Sequence, residues 1–202
     1  MPIGLITNMD TTRPEDVKAE ITNLDFTSTP FLSAIGEGVA SNTFHEWQVD
    51  TYASSADNAA IESSDVTVSD LTQPTRTTNI VQLFRKDVVV SDTESAIPHY
   101  GMGDPFTYQT DKKMTEMNRD MEKAAIAGTR ASGSSGVARR MDGAVALITT
   151  NKTARSSGTS FTETEFNDII RGIYDNGTDS TVDLVLLPSY LKLVVDRFST
   201  KT

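Results

Sequence analysis

Four carboxylates, Asp57, Glu62, Asp65 and Asp70, fall within one polar stretch, ASSADNAAIESSDVTVSDLTQPT (53–75). Oxygen donors so closely spaced could gather a divalent cation. The plainer reading is a solvated acidic loop, because the stretch is rich in serine and poor in apolar anchors. The two histidines, His45 and His99, lie on different predicted elements with no nucleophile placed beside either. Gly101-Met-Gly103 precedes a helix start as a dinucleotide loop would, but Phe106 stands where the third glycine belongs. Gly128 and Gly133 have the spacing of a phosphate loop, yet Ser134 replaces its lysine. Arg139 and Arg140 could meet a phosphate, although an ion pair with an acidic neighbour is the simpler expectation in a chain of net charge −10. No G-x-S-x-G or paired-histidine zinc motif is present. These residues argue against an enzyme and imply no cofactor and no metal site.

The elements that must carry these residues are uneven. Residues 1–40 hold one helical hint, PEDVKAEI (14–21), followed by the breakers of TSTPF and IGEG, and read as an extended arm. In FHEWQVDTY (44–52), Phe44, Glu46 and Gln48 alternate with His45, Trp47 and Val49. The return, RTTNIVQLFRKDVVVSD (76–92), is rich in β-branched residues, so residues 44–91 predict a long β-excursion around the acidic loop. The clearest helix is 104–130, with Asp104 as N-cap, Pro105 in the first turn and Gly128 as its stop. Phe106, Thr110, Met114, Met117, Met121, Ala124 and Ala125 recur on one face, and Lys112/Glu116 and Arg119/Glu122 are expected to pair on the other.

Residues 128–143 read as a flexible loop. Thr162 and Glu165 match a capping box opening a helix whose apolar face is Phe166, Ile169, Ile170 and Ile173, ended by Asn176-Gly177. VDLVLL (182–187) predicts a strand buried on both faces, and Pro188-Ser189 opens a last helix with Leu191, Val194, Val195 and Phe198 inward. A strand of that kind needs neighbours on both sides, so the native polypeptide is expected to continue past Thr202.

The hydrophobic fraction of 37% limits the core that 202 residues can build. Ordering a residue costs about 1–2 kcal/mol of backbone entropy, so long outstretched segments need apolar surface from elsewhere. Neighbouring copies are the expected source. Phe31, Leu32 and Trp47, the last being the only tryptophan, are placed to anchor extended segments onto a neighbour or against the long helix. Trp47 serves equally well as a core residue that ties the hairpin's base to its own domain. Arg139 and Arg140 join them as candidate contacts between subunits. The acidic balance argues against coating nucleic acid. Zero cysteines exclude a disulfide framework and thiolate metal sites. No basic-flanked leader and no apolar run of membrane-spanning length is found.

The words TPFLSAIG (29–36), NTFHEWQVDT (42–51), NIVQLFRKDVVVS (79–91), YQTDKKMTEMNRDMEKAAIAG (108–128) and ARRMDGAVALI (138–148) follow one another in this order. In words and order the chain resembles the major capsid proteins of tailed bacteriophages with the Hong Kong 97 fold. The resemblance implies an α+β chain of four parts. These are an N-terminal arm (1–43), an extended β-hairpin loop (44–91), a peripheral domain (92–143) with its spine helix at 104–130, and a segment (144–202) that finishes that domain and begins a truncated α/β axial domain. It further implies a structural protein that self-assembles into hexamers and pentamers of a phage head around double-stranded DNA, without sequence-specific binding. Scaffolding, portal and decoration proteins are the implied partners, with no membrane. The chain would be made in the host cytoplasm and end in the virion. Another virion shell or tail protein, or an acidic metal-binding module, are the alternatives.

Overall fold

The computed structural model describes residues 21–66, 68, 70–154, 160–176 and 182–198, and the helical hint at 14–21 lies almost wholly outside them. Six helices and two strands are seen among these residues: α1 (Pro30–Ala34), β1 (Phe44–Val49), β2 (Thr75–Ile80), α2 (Asp92–Ser95), α3 (Pro105–Ala127), α4 (Ala144–Leu147), α5 (Glu163–Asp175) and α6 (Ser189–Phe198). The class is mixed helix and sheet, as expected. Two compact units are formed, one from residues 1–29 and 84–121, the other from 30–83 and 122–202.

In the first unit, Asp104 caps α3 as its sequence foretells. Its carboxylate accepts from the Thr107 backbone N–H at 3.0 Å and hydroxyl at 2.7 Å. These hydrogen bonds favour the ionised form and hold the Asp104 carboxyl below its ordinary value. Lys86 reaches Asp120 at 2.6 Å, Lys113 reaches Glu116 at 2.6 Å, and Arg119 lies 3.8 Å from Asp25. The expected Arg119/Glu122 pair is not made, because Arg119 turns to Asp25 and Glu122 serves another element described below.

In the second unit, β1 and β2 pair antiparallel from Phe44 with Ile80 to Val49 with Thr75. The β-excursion is shorter than its composition suggests: past β2 only Val81 N–H still bonds across, to Thr43 C=O at 2.9 Å, and residues 82–91 form no strand. Residues 128–143 are not a flexible loop. They fold back as a hairpin, with Ala131 bridged to Arg140 and Ser134 to Val137. Its turn places Gly136 at φ +83°, a conformation that glycine adopts without a Cβ clash. Helix α3 therefore stops at Ala127, short of 130, and the hairpin begins where it ends. At the hairpin's base Gly143 N–H donates to Gly128 C=O at 3.0 Å. A Cβ on Gly143 would meet the Gly128 nitrogen at 2.5 Å and the Ile126 carbonyl at 2.7 Å.

The capping box forms as predicted, with Thr162 Oγ1 accepting from Glu165 N–H and the Glu165 carboxylate accepting from Thr162 N–H. On α6 the predicted inward residues Leu191, Val194, Val195 and Phe198 are the half-buried ones. On α5 only Phe166 of the predicted face is half-buried, packed with Phe161 and Phe198 at ring separations of 6.1–6.4 Å. Residues 182–187 form no strand and stay largely exposed, against expectation. A central strand needs a hydrogen-bonded neighbour on each edge, and the described residues supply neither. Buried apolar side chains among the described residues are few: Ile80 is 2% exposed and Ala125 9%.

Two experiments test this framework. Gly143→Ala should destabilise the fold by about 1–3 kcal/mol in urea denaturation, because the clash is with backbone. Gly172→Ala, where an added Cβ meets nothing within 4 Å in the middle of α5, should stabilise it by about 0.5–1 kcal/mol. For α3, a lowered folded value means the Asp104 cap contributes fully above the unfolded carboxylate value and is lost as pH falls through the folded one. The NMR signals of Thr107 and Tyr108 should therefore shift on acidification below the ordinary carboxylate range, a step absent from Asp104→Asn.

Candidate assembly surface

The second unit gathers most of the polar side chains that hold elements together. Asn79, near the end of β2, treats the hairpin strand as a β-partner would. Its Nδ2 donates to Asp142 C=O at 3.1 Å and its Oδ1 accepts from Asp142 N–H at 2.9 Å. Three residues on, the Gln82 side-chain carbonyl accepts from Met141 N–H at 3.2 Å. Asp142 closes the network through Oδ1, which accepts from Arg130 N–H at 2.8 Å. Arg130 in turn donates to the Thr78 hydroxyl at 2.9 Å and carbonyl at 3.3 Å. Ile80 lies between Asn79 and Gln82, which places the most deeply buried side chain at this polar seam.

A second clamp holds α1. Both carboxylate oxygens of Glu122, on α3, accept from its first turn: Phe31 N–H at 2.9 Å and Leu32 N–H at 2.8 Å. The first amide groups of a helix have no partner within it, and a carboxylate there also meets the positive end of the helix dipole. Pro30, at the first position, has no N–H to satisfy.

The five sequence candidates separate into three places. Phe31 and Leu32 are half-buried on the Glu122 clamp. Trp47 is 36% exposed, its ring 5.9 Å from that of His45. It lines an apolar cleft of about 430 Å³ with Val39, Ala40, Ile80, Val81 and Met141. Arg139 and Arg140 are exposed on the hairpin and make no ion pair with a described residue, which corrects the expectation of an acidic neighbour. Hairpin residues flanking Arg139, together with Leu83, line a separate groove of about 390 Å³. The four carboxylates of the acidic loop are not brought together: among the described residues no three His, Asp or Glu side chains are placed to hold a metal ion. No helix of the described residues is long and apolar enough to cross a membrane. The sequence reading missed Asn79, Gln82, Arg130, Asp142 and Glu122. Each bonds a residue 52 to 91 positions away, and no periodicity reports such a pair.

Comparison with known proteins adds an independent finding. The profile of the SU10 major capsid protein family matches residues 5–202. The major capsid protein of Escherichia phage Phieco32 is 37% identical over 101 residues. That stretch is 50% of this chain and 29% of the relative, so the match spans under a third of the relative's length.

The Glu122 clamp is open to a direct test. Glu122→Ala leaves two α1 amide groups without an acceptor and should cost about 1–3 kcal/mol. Hydrogen exchange at Phe31 and Leu32 should accelerate, while exchange at the Thr162–Glu165 cap stays unchanged.

Proposed function

Because this chain belongs to the SU10 major capsid protein family, we propose that it is a structural subunit of a phage head, assembling with copies of itself into hexamers and pentamers around double-stranded DNA. The family match over nearly the whole chain carries the reading. The physical state of the protomer supports it. Large apolar side chains such as Leu24, Phe26, Tyr52, Leu71 and Leu83 are each more than 80% exposed, and exposed apolar side chains in this number suit a protomer whose surface other protein covers.

In this reading the fold is of the Hong Kong 97 type. Residues 1–43 are the arm and 44–91 the extended loop, of which β1 and β2 are the paired base. Residues 92–143 form the peripheral domain with α3 as spine, and 144–202 finish that domain and begin the axial one. Phe31, Leu32 and Trp47 anchor outstretched segments at subunit contacts. Scaffolding, portal and decoration proteins are its further partners, and the finished subunit resides in the virion after synthesis in the host cytoplasm. The protein works as a building element, with no catalysis. Its acidic balance lets it wall in DNA without gripping it.

Expression of the full-length protein followed by electron microscopy tests the proposal. Closed shells of uniform size are the expected outcome. Tubes would indicate a tail protein, and dispersed monomers at high concentration would refute a coat role.

A further inference from the structure

A two-stranded sheet has two outer edges, and β1 and β2 treat theirs differently. Val81 N–H donates to Thr43 C=O at 2.9 Å, so the backbone of Thr43 faces β2. That facing alternates along an antiparallel strand. In the register that pairs Phe44 with Ile80, the backbones of His45, Trp47 and Val49 therefore turn to β2, and those of Phe44, Glu46 and Gln48 turn away. On β2 the outward residues are Arg76, Thr78 and Ile80. That edge is engaged: Thr78 C=O accepts from Arg130 at 3.3 Å, and Ile80 N–H donates to the Asn79 side chain at 2.8 Å. On β1 the outward N–H and C=O groups of Phe44, Glu46 and Gln48 have no hydrogen-bond partner among the described residues.

Proteins blunt an open edge with proline, lysine or a bulge. β1 has none of these: its sequence is FHEWQV, it pairs residue for residue with β2, and all six residues are exposed. The outward groups recur at every second residue, about 6.8 Å apart, a spacing that another extended chain matches. Side chains beside the edge set what that chain must carry. His45, Trp47 and Val49 share one side of the sheet, with Trp47 36% and Val49 47% exposed. Glu46 lies on the other side, and from Glu46 to Thr75 there are six acidic residues and no lysine or arginine. The β1 strand of a second copy does not fit. Antiparallel pairing through the outward residues sets Glu46 against Glu46, and like charges directly opposite repel.

We propose that β1 accepts, along this edge, an extended strand of a different protein, apolar where it lies beside Trp47 and Val49 and basic where it lies beside Glu46. Main-chain hydrogen bonds at Phe44, Glu46 and Gln48 supply the attachment, and the alternate side chains supply the choice of partner. A residue directly opposite Trp47 has its Cβ about 4.5–5.5 Å away, close enough to cover the part of the ring that the sheet leaves open. Lysine or arginine opposite Glu46 shares its carboxylate with Arg76, which lies 3.3 Å from it. The inference goes beyond the coat-subunit reading and does not need it, because the open edge belongs to the single protomer.

The test titrates isotope-labelled full-length protein with a synthetic heptapeptide of alternating lysine and valine, and follows amide exchange by NMR. With the peptide at ten times its Kd, exchange at Phe44, Glu46 and Gln48 should slow about tenfold. His45, Trp47 and Val49, whose amides already face β2, should change little. Emission from Trp47, the sole tryptophan, should move to shorter wavelength. Glu46→Lys should weaken binding about fivefold and turn the preference to a glutamate–valine peptide. A lysine–valine peptide N-methylated at alternate residues, unable to bond the edge, should give no protection. Unchanged exchange at the three outward amides would overturn the proposal, as would equal protection by the N-methylated or the glutamate–valine peptide. Protection that rises with protein concentration alone would overturn it by giving the edge to a second copy. Each of these outcomes leaves the coat reading standing. Alternate-residue protection in a protein that forms no shells would support the edge contact and overturn the coat reading alone.

Discussion

The second unit is held in register by a seam of directional hydrogen bonds, and most of what it positions depends on that seam. An isolated pair of six-residue strands is marginal in water. Here β2 is fastened at its end by Asn79 and Gln82, whose amides stand in for a third strand against Met141 and Asp142. The seam closes because Gly128 and Gly143 allow two backbones to approach where any side chain would clash. With Ile80 and Ala125 the buried apolar residues of the described chain, hydrophobic burial has little authority over the geometry. Hydrogen bonds have more, since a half-buried amide left without its partner loses its full solvation.

That division of labour suits a subunit. A protein that fixes its shape by burying apolar side chains spends them inside. This one fixes a hairpin, a turn and α1 with side-chain amides and two carboxylates, Asp142 and Glu122, and leaves many large apolar residues outward. The Trp47 cleft and the Arg139 groove both border the seam, one through Asn79, Ile80, Gln82 and Met141 and the other through Leu83. A contact made at either would press on the element that defines the register of the strands. Any partner bound there would be coupled to local order through the same few residues.

How far the sequence discloses this depends on the reach of each signal. Asp104, Pro105 and Gly128 around α3, the Thr162–Glu165 box and the inward face of α6 are legible because their physics acts over three or four residues. The seam is illegible for the opposite reason, as Asn79 and Asp142 are 63 positions apart. Glu122 illustrates the ambiguity well. Its spacing from Arg119 announces a helix-surface pair, yet two amide donors at a helix start offer a carboxylate more than one exposed guanidinium does. The glycine-rich hairpin reads as slack for a similar reason, because glycine density marks both mobile chain and close backbone approach. At 182–187 the composition states correctly that the segment would suit burial, while pairing depends on an edge that composition does not encode.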